Sequence, residues 1–226
     1  MKQDRMKLCI SALVKVVLGI ALVGALLFVP AGTLAYSGAW RLCGVLFVPM
    51  LVMGVAMFIL SPDLLRRRLA SKEKRVTQQG VVRYVGLLFI VSFIVAGLDF
   101  RFGWSEMPRW LVLGSMAMFL LGYALYGEVM RENVWLSRNI TVAEGQQVVT
   151  AGLYAVVRHP MYTATVVMFL AMPMVLGSYW AVLPMMLYIP LISLRIKDEE
   201  QLLRSDLMGY NDYCAKVRWR LLPYIW

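Results

Sequence analysis

The chain has 226 residues, of which 61% are hydrophobic and only 16% are charged, and its formal net charge is +10. Soluble domains contain about 45–50% apolar residues, so this composition excludes an ordinary soluble fold. The three cysteines form no CxxC pair and the chain has one histidine, which does not supply the ligands of a usual zinc site. The composition therefore predicts an integral membrane protein and no metal site.

Long uncharged runs predict the membrane-spanning elements. They cover residues 16–35, 42–62, 84–98, 110–127 and 160–194. A helix that spans a bilayer needs about 20 apolar residues, so the first, second and fourth runs each predict one crossing. The third run also predicts a crossing if Val81, Val82 and a snorkelling Arg83 form its first turn. The first run resembles a signal peptide, but it is longer than the usual apolar region of about 7–15 residues, which favours an uncleaved first helix.

The last uncharged run is too long for one helix. Pro173, the sequence GSYW at 177–180 and Pro184 interrupt it, which predicts a tight hairpin of two helices at about 160–177 and 180–194. The predicted fold class is all-α: a polytopic integral membrane protein with about six hydrophobic helices, the last two forming the hairpin, and a cytoplasmic C-terminal helical tail.

Basic residues flank these runs asymmetrically. They concentrate before the first helix, between helices 2 and 3, between helices 4 and 5, and after the last helix, whereas Arg41, Arg101 and Arg109 lie on the other side. Positively charged loops stay in the cytoplasm, so we expect both termini to be cytoplasmic, in the plasma membrane of a prokaryote or the endoplasmic reticulum of a eukaryote. The same loops should contact anionic membrane lipids, and no nucleic-acid partner is predicted.

The polar residues divide the chain into two parts. Residues 1–127 contain helices 1–4, joined on the cytoplasmic side by a basic connector at 61–80 that is partly an interfacial helix or a solvated loop. Residues 128–226 contain a polar connector, the hairpin and a charged tail, in which Leu202, Leu203 and Leu207 predict a short amphipathic helix. Because both ends of a hairpin return to one side, the polar segments can meet there, and any chemistry should lie where they meet.

The sequence RHPMY at 158–162 begins the hairpin. Proline suits the first turn of a helix because its missing N–H has no partner there anyway. His159 is then close to the N-cap and Tyr162 lies in the first turn, beside free N–H groups that can bind anions or carboxylates. The alternative is that His159 and Tyr162 are interfacial anchors.

The sequence RIKDEE at 195–200 ends the hairpin. Arg195 and Glu199 are four residues apart and therefore share one helix face. They could form a structural salt bridge, or they could bind a ligand that needs both charges. S-adenosylmethionine is a ligand of this kind. Glu199 could bind its ammonium or ribose hydroxyls, while Arg195 could hold an anionic methyl acceptor.

Taken together, these motifs resemble the isoprenylcysteine carboxyl methyltransferase family, which is itself similar to phospholipid N-methyltransferases. The matching features are REN at 131–133, GQQVVTAGLYAVVRHPMY at 145–162, the uncharged hairpin, RIKDEE at 195–200 and GYNDYCAKVRWRLLP at 209–223. The resemblance covers residues 128–223, whereas the first 127 residues match only as membrane helices. It implies an integral membrane enzyme that uses S-adenosylmethionine to methylate a lipophilic or prenylated acceptor, most directly the carboxylate of an isoprenylcysteine.

The resemblance also implies the site residues. Arg195 would bind the acceptor, and Arg195 and Glu199 would be the catalytic residues. The cofactor contacts would be Gln146, Gln147, Val148, Val149, Tyr154, His159, Pro160, Met161, Tyr162, Glu199 and Glu200.

Other acceptors and activities fit the same pattern. A carboxylate acceptor needs orientation and no base, whereas a phospholipid amine or a small thiol would need Glu199, Glu200 or water to accept a proton. An NADPH-dependent membrane reductase is an alternative, because sterol reductases have a related C-terminal hairpin, although no clear phosphate-binding motif is present. A scaffold or transporter is disfavoured by the scarcity of ionisable residues inside the predicted spans.

Overall fold

A computed structural model describes residues 2–69, 76–136, 142 and 144–226. Its regular secondary structure in these ranges is helical, which confirms the predicted all-α membrane fold. The helices are α1 (Lys2–Ala31), α2 (Ser37–Leu60), α3 (Pro62–Leu69), α4 (Val76–Phe102), α5 (Arg109–Glu132), a 3-10 helix (Gly152–Ala155), α6 (Pro160–Leu176), α7 (Val182–Met186), α8 (Tyr188–Asp206) and α9 (Tyr210–Lys216).

Four of the described helices are long and apolar enough to cross a membrane. They are Arg5–Ala31, Ser37–Leu60, Gln78–Phe102 and Arg109–Glu132, and they overlap the first four uncharged runs of the sequence. The next apolar helix, α6, has 17 residues, which corresponds to about 25 Å at 1.5 Å per residue. It is therefore slightly shorter than a hydrocarbon core of about 30 Å.

The second arm of the hairpin differs from the prediction. A single helix at 180–194 was expected, but α7 ends at Met186 and α8 begins at Tyr188. Pro190 has no N–H to donate to the carbonyl of Met186, so a continuous helix would lose a hydrogen bond at this point. The separate amphipathic helix expected near Leu202 is instead the C-terminal end of α8, which runs without a break from the apolar segment into the charged one.

The connector between α2 and α4 is helical at its start. Residues 62–69 form α3, as the interfacial-helix interpretation predicts, while residues 70–75 of the predicted connector lie outside the described residues. The predicted boundary at residue 127 falls within α5, so the division into two parts remains a prediction.

Hydrogen bonds tie the turn of the hairpin to α4. Asp99 accepts a hydrogen bond from the hydroxyl of Ser105, at 2.6 Å, and another from Ser178. The hydroxyl of Ser92 donates to the carbonyl of Ala181 at 2.9 Å. These bonds hold the turn at the end of the bundle opposite to the RHPMY and RIKDEE segments.

Close packing of α5 against α6 fixes the position of the hairpin. A Cβ atom at Gly122 would overlap Met168 Cγ and would lie 3.1 Å from the carbonyl oxygen of Ala164. The absence of a side chain at Gly122 therefore allows the two helices to approach, as small residues do at helix crossings in membranes.

Gly122→Val should therefore lower the free energy of unfolding by about 1–3 kcal/mol, the usual range for overpacking a filled site. Thermal unfolding of the detergent-purified protein measures the effect. Gly114→Val on the same helix is the matched control, because a Cβ atom at Gly114 has no neighbour within 4 Å. Equal melting temperatures for the two variants would contradict the assigned helix contact.

Candidate active site

A cleft lies where the polar connector, the start of α6 and the charged end of α8 meet. Its lining residues are Asn133, Trp135, Leu136, Gln146, Gln147, Val148, Val149, Tyr154, Arg158, His159, Met161, Tyr162, Arg195, Glu199, Leu203, Leu207, Tyr210 and Tyr213. Ten of the twelve predicted site residues are in this set. The two others, Pro160 and Glu200, do not line the cleft.

The REN sequence holds the loop that carries Tyr154. Both carboxylate oxygens of Glu132 accept from the backbone N–H of Leu153, at 3.0 and 2.9 Å. The amide of Asn133 donates to the hydroxyl of Tyr154 at 2.9 Å. Gly152 has a φ of +61° and no Cβ, so the carboxylate of Glu132 can sit directly against its backbone. Burial raises the pKa of Tyr154 to about 12, so its hydroxyl remains protonated.

The RHPMY sequence forms the start of α6 as predicted. His159 is the N-cap residue and Pro160 is the first helical residue. The C-terminal tail runs alongside: the backbone N–H groups of Arg158 and His159 donate to the carbonyls of Trp219 and Arg220, each at 2.9 Å. The tail thus covers the segment before α6 and fixes the backbone of Arg158 and His159.

Glu200 is the centre of a buried ion cluster beside the cleft. Its carboxylate oxygens lie 2.8 Å from Arg158 Nε, 3.3 Å from His159 Nε2 and 2.9 Å from Arg220 Nε. Burial opposes ionisation, but hydrogen bonding to His159 and Arg220 and the charge of Arg158 outweigh it and lower the pKa of Glu200 to about 2. Glu200 therefore joins α8 to the start of α6 and to the tail, beside the cleft, and its predicted contact with the cofactor remains a prediction.

The hydroxyl of Tyr162 forms hydrogen bonds with both Arg195 and Glu199. Arg195 Nε donates to the hydroxyl of Tyr162 at 3.0 Å, and this hydroxyl donates to Glu199 Oε2 at 2.6 Å. The shared helix face predicted from their spacing is confirmed. Tyr162 of α6 thus connects the predicted acceptor-binding cation with the predicted cofactor-binding carboxylate.

Aromatic residues that the sequence prediction missed form much of the cleft wall. Tyr210 and Tyr213 lie on α9, and Trp135 follows α5. Tyr213 donates to the carbonyl of Tyr154 at 2.7 Å, whereas the buried hydroxyl of Tyr210 has no hydrogen-bond partner among the described residues. Burial and the charge of Glu200 raise the pKa of Tyr210 well above its ordinary value, so this hydroxyl is available as a donor. The sequence GYNDY could have predicted that Tyr210 and Tyr213 contact the same site, because positions three apart share a helix face.

A comparison with known protein families identifies the segment that builds the cleft. Residues 115–205 match the model of the isoprenylcysteine carboxyl methyltransferase (ICMT) family. The resemblance predicted from the motifs is thereby confirmed. The ICMT match begins within α5 and ends within α8, so it contains the connector, the hairpin and the residues Tyr154, Tyr162, Arg195 and Glu199.

Part of the chain is also similar to a reductase. The chain is 31% identical over 90 residues to the Delta(14)-sterol reductase TM7SF2 of Mus musculus. The match covers 38% of this chain and 22% of the reductase, so the chain spans about a fifth of the length of this curated relative.

Proposed function

We propose that this protein is an integral membrane methyltransferase that uses S-adenosylmethionine to methylate a lipophilic acceptor, most directly the carboxylate of an isoprenylcysteine-like molecule. The observation that supports it best is the convergence of separate motifs. Tyr154 and Tyr162 belong to the 3-10 helix and to the start of α6, Glu199 belongs to α8, and all three line one cleft. The ICMT family match covers the same three segments.

The residues of the cleft fit the chemistry of the proposed cofactor. S-adenosylmethionine carries an ammonium, a carboxylate, ribose hydroxyls and an adenine ring, and when bound it supplies an electrophilic methyl group on a sulfonium. Glu199 offers a carboxylate for the ammonium or the ribose, and the buried hydroxyl of Tyr210 needs a hydrogen-bond acceptor. The aromatic rings of Trp135 and Tyr213 offer stacking surfaces. The segment at 146–149 adds backbone and side-chain amides.

Arg195 is the residue that we assign to binding the methyl acceptor. A guanidinium binds a carboxylate through two parallel N–H groups, and a carboxylate is already ionised at neutral pH, so the protein needs to orient it and exclude water but not to remove a proton. His159, held by Glu200 and by the tail, positions the first turn of α6 beside Met161 and Tyr162. The chemistry assigned to the protein is therefore positioning and electrostatics.

The same proposal places the cleft at the cytoplasmic surface. The connector before α6 contains three Arg residues, and the end of α8 together with the tail contains six Arg and Lys residues; loops that carry most of the positive charge stay in the cytoplasm. Both termini would then be cytoplasmic, and a lipophilic acceptor would reach the cleft from the bilayer. The membrane would be the plasma membrane of a prokaryote or the endoplasmic reticulum of a eukaryote.

Calorimetric binding of S-adenosylhomocysteine to the detergent-purified protein tests the cofactor assignment. We expect the wild-type protein to bind and Glu199→Ala to bind at least about tenfold more weakly, since a hydrogen bond to a charged group contributes about 1.5–3 kcal/mol. Asp206→Ala is the matched control: it removes an exposed carboxylate from the same helix. A well-folded wild-type protein that binds no S-adenosylhomocysteine would refute the proposed function.

The similarity to the sterol reductase supports a second candidate, an NADPH-dependent reductase. The two candidates differ in their cofactor, so NADPH binding and consumption distinguish them. The methyltransferase proposal expects neither. NADPH binding in the absence of S-adenosylhomocysteine binding would favour the reductase.

A further inference from the structure

Gln78 of α4 contacts the predicted acceptor site from the N-terminal half of the chain. Its side chain is 0% exposed. Arg195 donates from one terminal nitrogen to Gln78 Oε1 at 2.9 Å, and Gln78 Nε2 donates to the carboxylate of Asp198. A residue outside all the recognised motifs therefore contacts two residues of RIKDEE.

The amide group suits this position chemically. Arg195 and Asp198 are three residues apart on α8 and present a donor and an acceptor on one face. A glutamine side chain offers both an acceptor and a donor, so it matches both partners at once. A carboxylate at position 78 would repel Asp198, and an apolar side chain would leave Arg195 and Asp198, both half-buried, without this partner.

Two hydrogen-bond partners of Arg195 come from different helices. Tyr162 of α6 receives its Nε–H, and Gln78 of α4 receives a terminal N–H. Because a guanidinium is planar, two anchored N–H groups fix its plane and direct its remaining N–H groups. Without Gln78, the guanidinium would lose one of the contacts that orient it.

We propose that Gln78 is a positioning residue that orients Arg195 toward the carboxylate of a prenylcysteine-type acceptor. This inference rests on the proposed function, and it makes the membrane helix α4 part of the acceptor site. It also gives the first part of the chain a role in recognition that its sequence alone does not indicate.

The test compares three variants with wild type on a carboxylate probe, N-acetyl-S-farnesylcysteine, and measures S-adenosylhomocysteine binding in parallel. We expect Gln78→Leu to raise KM for the probe about tenfold, equivalent to about 1.4 kcal/mol, with S-adenosylhomocysteine affinity unchanged. Gln201→Leu, an exposed glutamine on α8, should behave as wild type. The double variant Gln78→Glu with Asp198→Asn should recover most of the lost affinity, because a carboxylate at 78 can accept from both Arg195 and the new amide.

The outcomes separate this inference from the proposed function. A wild-type protein that binds no S-adenosylhomocysteine refutes the function and this inference with it. Wild-type binding of S-adenosylhomocysteine without methylation of the probe overturns the carboxylate assignment and this inference with it, but leaves the cofactor assignment in place. An unchanged KM in Gln78→Leu, an equal loss of S-adenosylhomocysteine affinity, or no recovery in the double variant would show that Gln78 only packs against α8.

Discussion

Glu200→Ala is expected to lower the free energy of unfolding by about 3–5 kcal/mol at neutral pH, the usual effect of removing one partner from a buried ion pair. The side chain of Arg158 is only 6% exposed, and Glu200 Oε1 lies 2.8 Å from its Nε. Without the carboxylate, this guanidinium would remain buried without a counter-charge, and Arg220 of the tail would lose its contact with α8. Thermal unfolding of detergent-purified protein measures the loss.

The same cluster predicts how stability depends on pH. The pKa of Glu200 is lowered from an ordinary 4.5 to about 2, so the folded state favours the ionised form. The resulting stabilisation, about 3 kcal/mol at 1.36 kcal/mol per unit, is fully present above about pH 5 and is lost as the pH falls toward 2. The difference in melting temperature between wild type and Glu200→Gln should therefore be large at pH 7 and should shrink at about pH 3.

The control for this prediction is Glu144→Ala, which removes an exposed carboxylate and should leave the melting temperature within about 1 °C of wild type, as for other surface substitutions. The ion cluster would not stabilise the fold if Glu200→Ala had the same melting temperature as the control. The same would follow if the melting temperature of Glu200→Ala were lowered equally at pH 7 and at pH 3. Loss of S-adenosylhomocysteine binding in a fully stable Glu200→Gln protein would instead support the cofactor contact first predicted for Glu200.

The membrane helices and the site motifs were predictable because their signals are local. An uncharged run of about 20 residues predicts a span from length and composition alone, and the order His159–Pro160 predicts an N-cap followed by a first helical turn. The spacing of Arg195 and Glu199 likewise places both on one face of a helix. None of these predictions requires knowledge of which helices are neighbours.

The features that were not predicted depend on tertiary neighbours. Glu200 directly follows Glu199, so only the position of Arg158 and Arg220 shows that it faces an ion cluster. Gln78 lies 117 residues before Arg195 in the chain, and no local pattern indicates that the two meet. The break between α7 and α8 depends on one missing hydrogen bond at Pro190, and the continuous apolar run around Pro190 gives no other sign of a break.

Arg195→Met is expected to reduce kcat/KM for N-acetyl-S-farnesylcysteine by about 100-fold or more, because two charge-assisted hydrogen bonds to the acceptor would be lost. S-adenosylhomocysteine affinity should change much less, since Glu199 and the hydroxyl of Tyr162 remain. Arg195→Lys should recover only part of the activity, because an ammonium keeps the charge but cannot form the bidentate contact. Steady-state kinetics together with calorimetry measure both effects.

Arg204→Met provides the matched control, because Arg204 lies exposed on the same helix and contacts Asn211. It should retain wild-type kinetics, so a general effect of removing positive charge from α8 would be visible there. If Arg195→Met abolished S-adenosylhomocysteine binding, the guanidinium would belong to the cofactor site. The chain of hydrogen bonds from Arg195 through Tyr162 to Glu199 would then serve one ligand, and the acceptor would have to be bound by other residues. Retained binding with lost turnover would assign Glu199 to the cofactor and Arg195 to the acceptor, with Tyr162 in contact with both side chains.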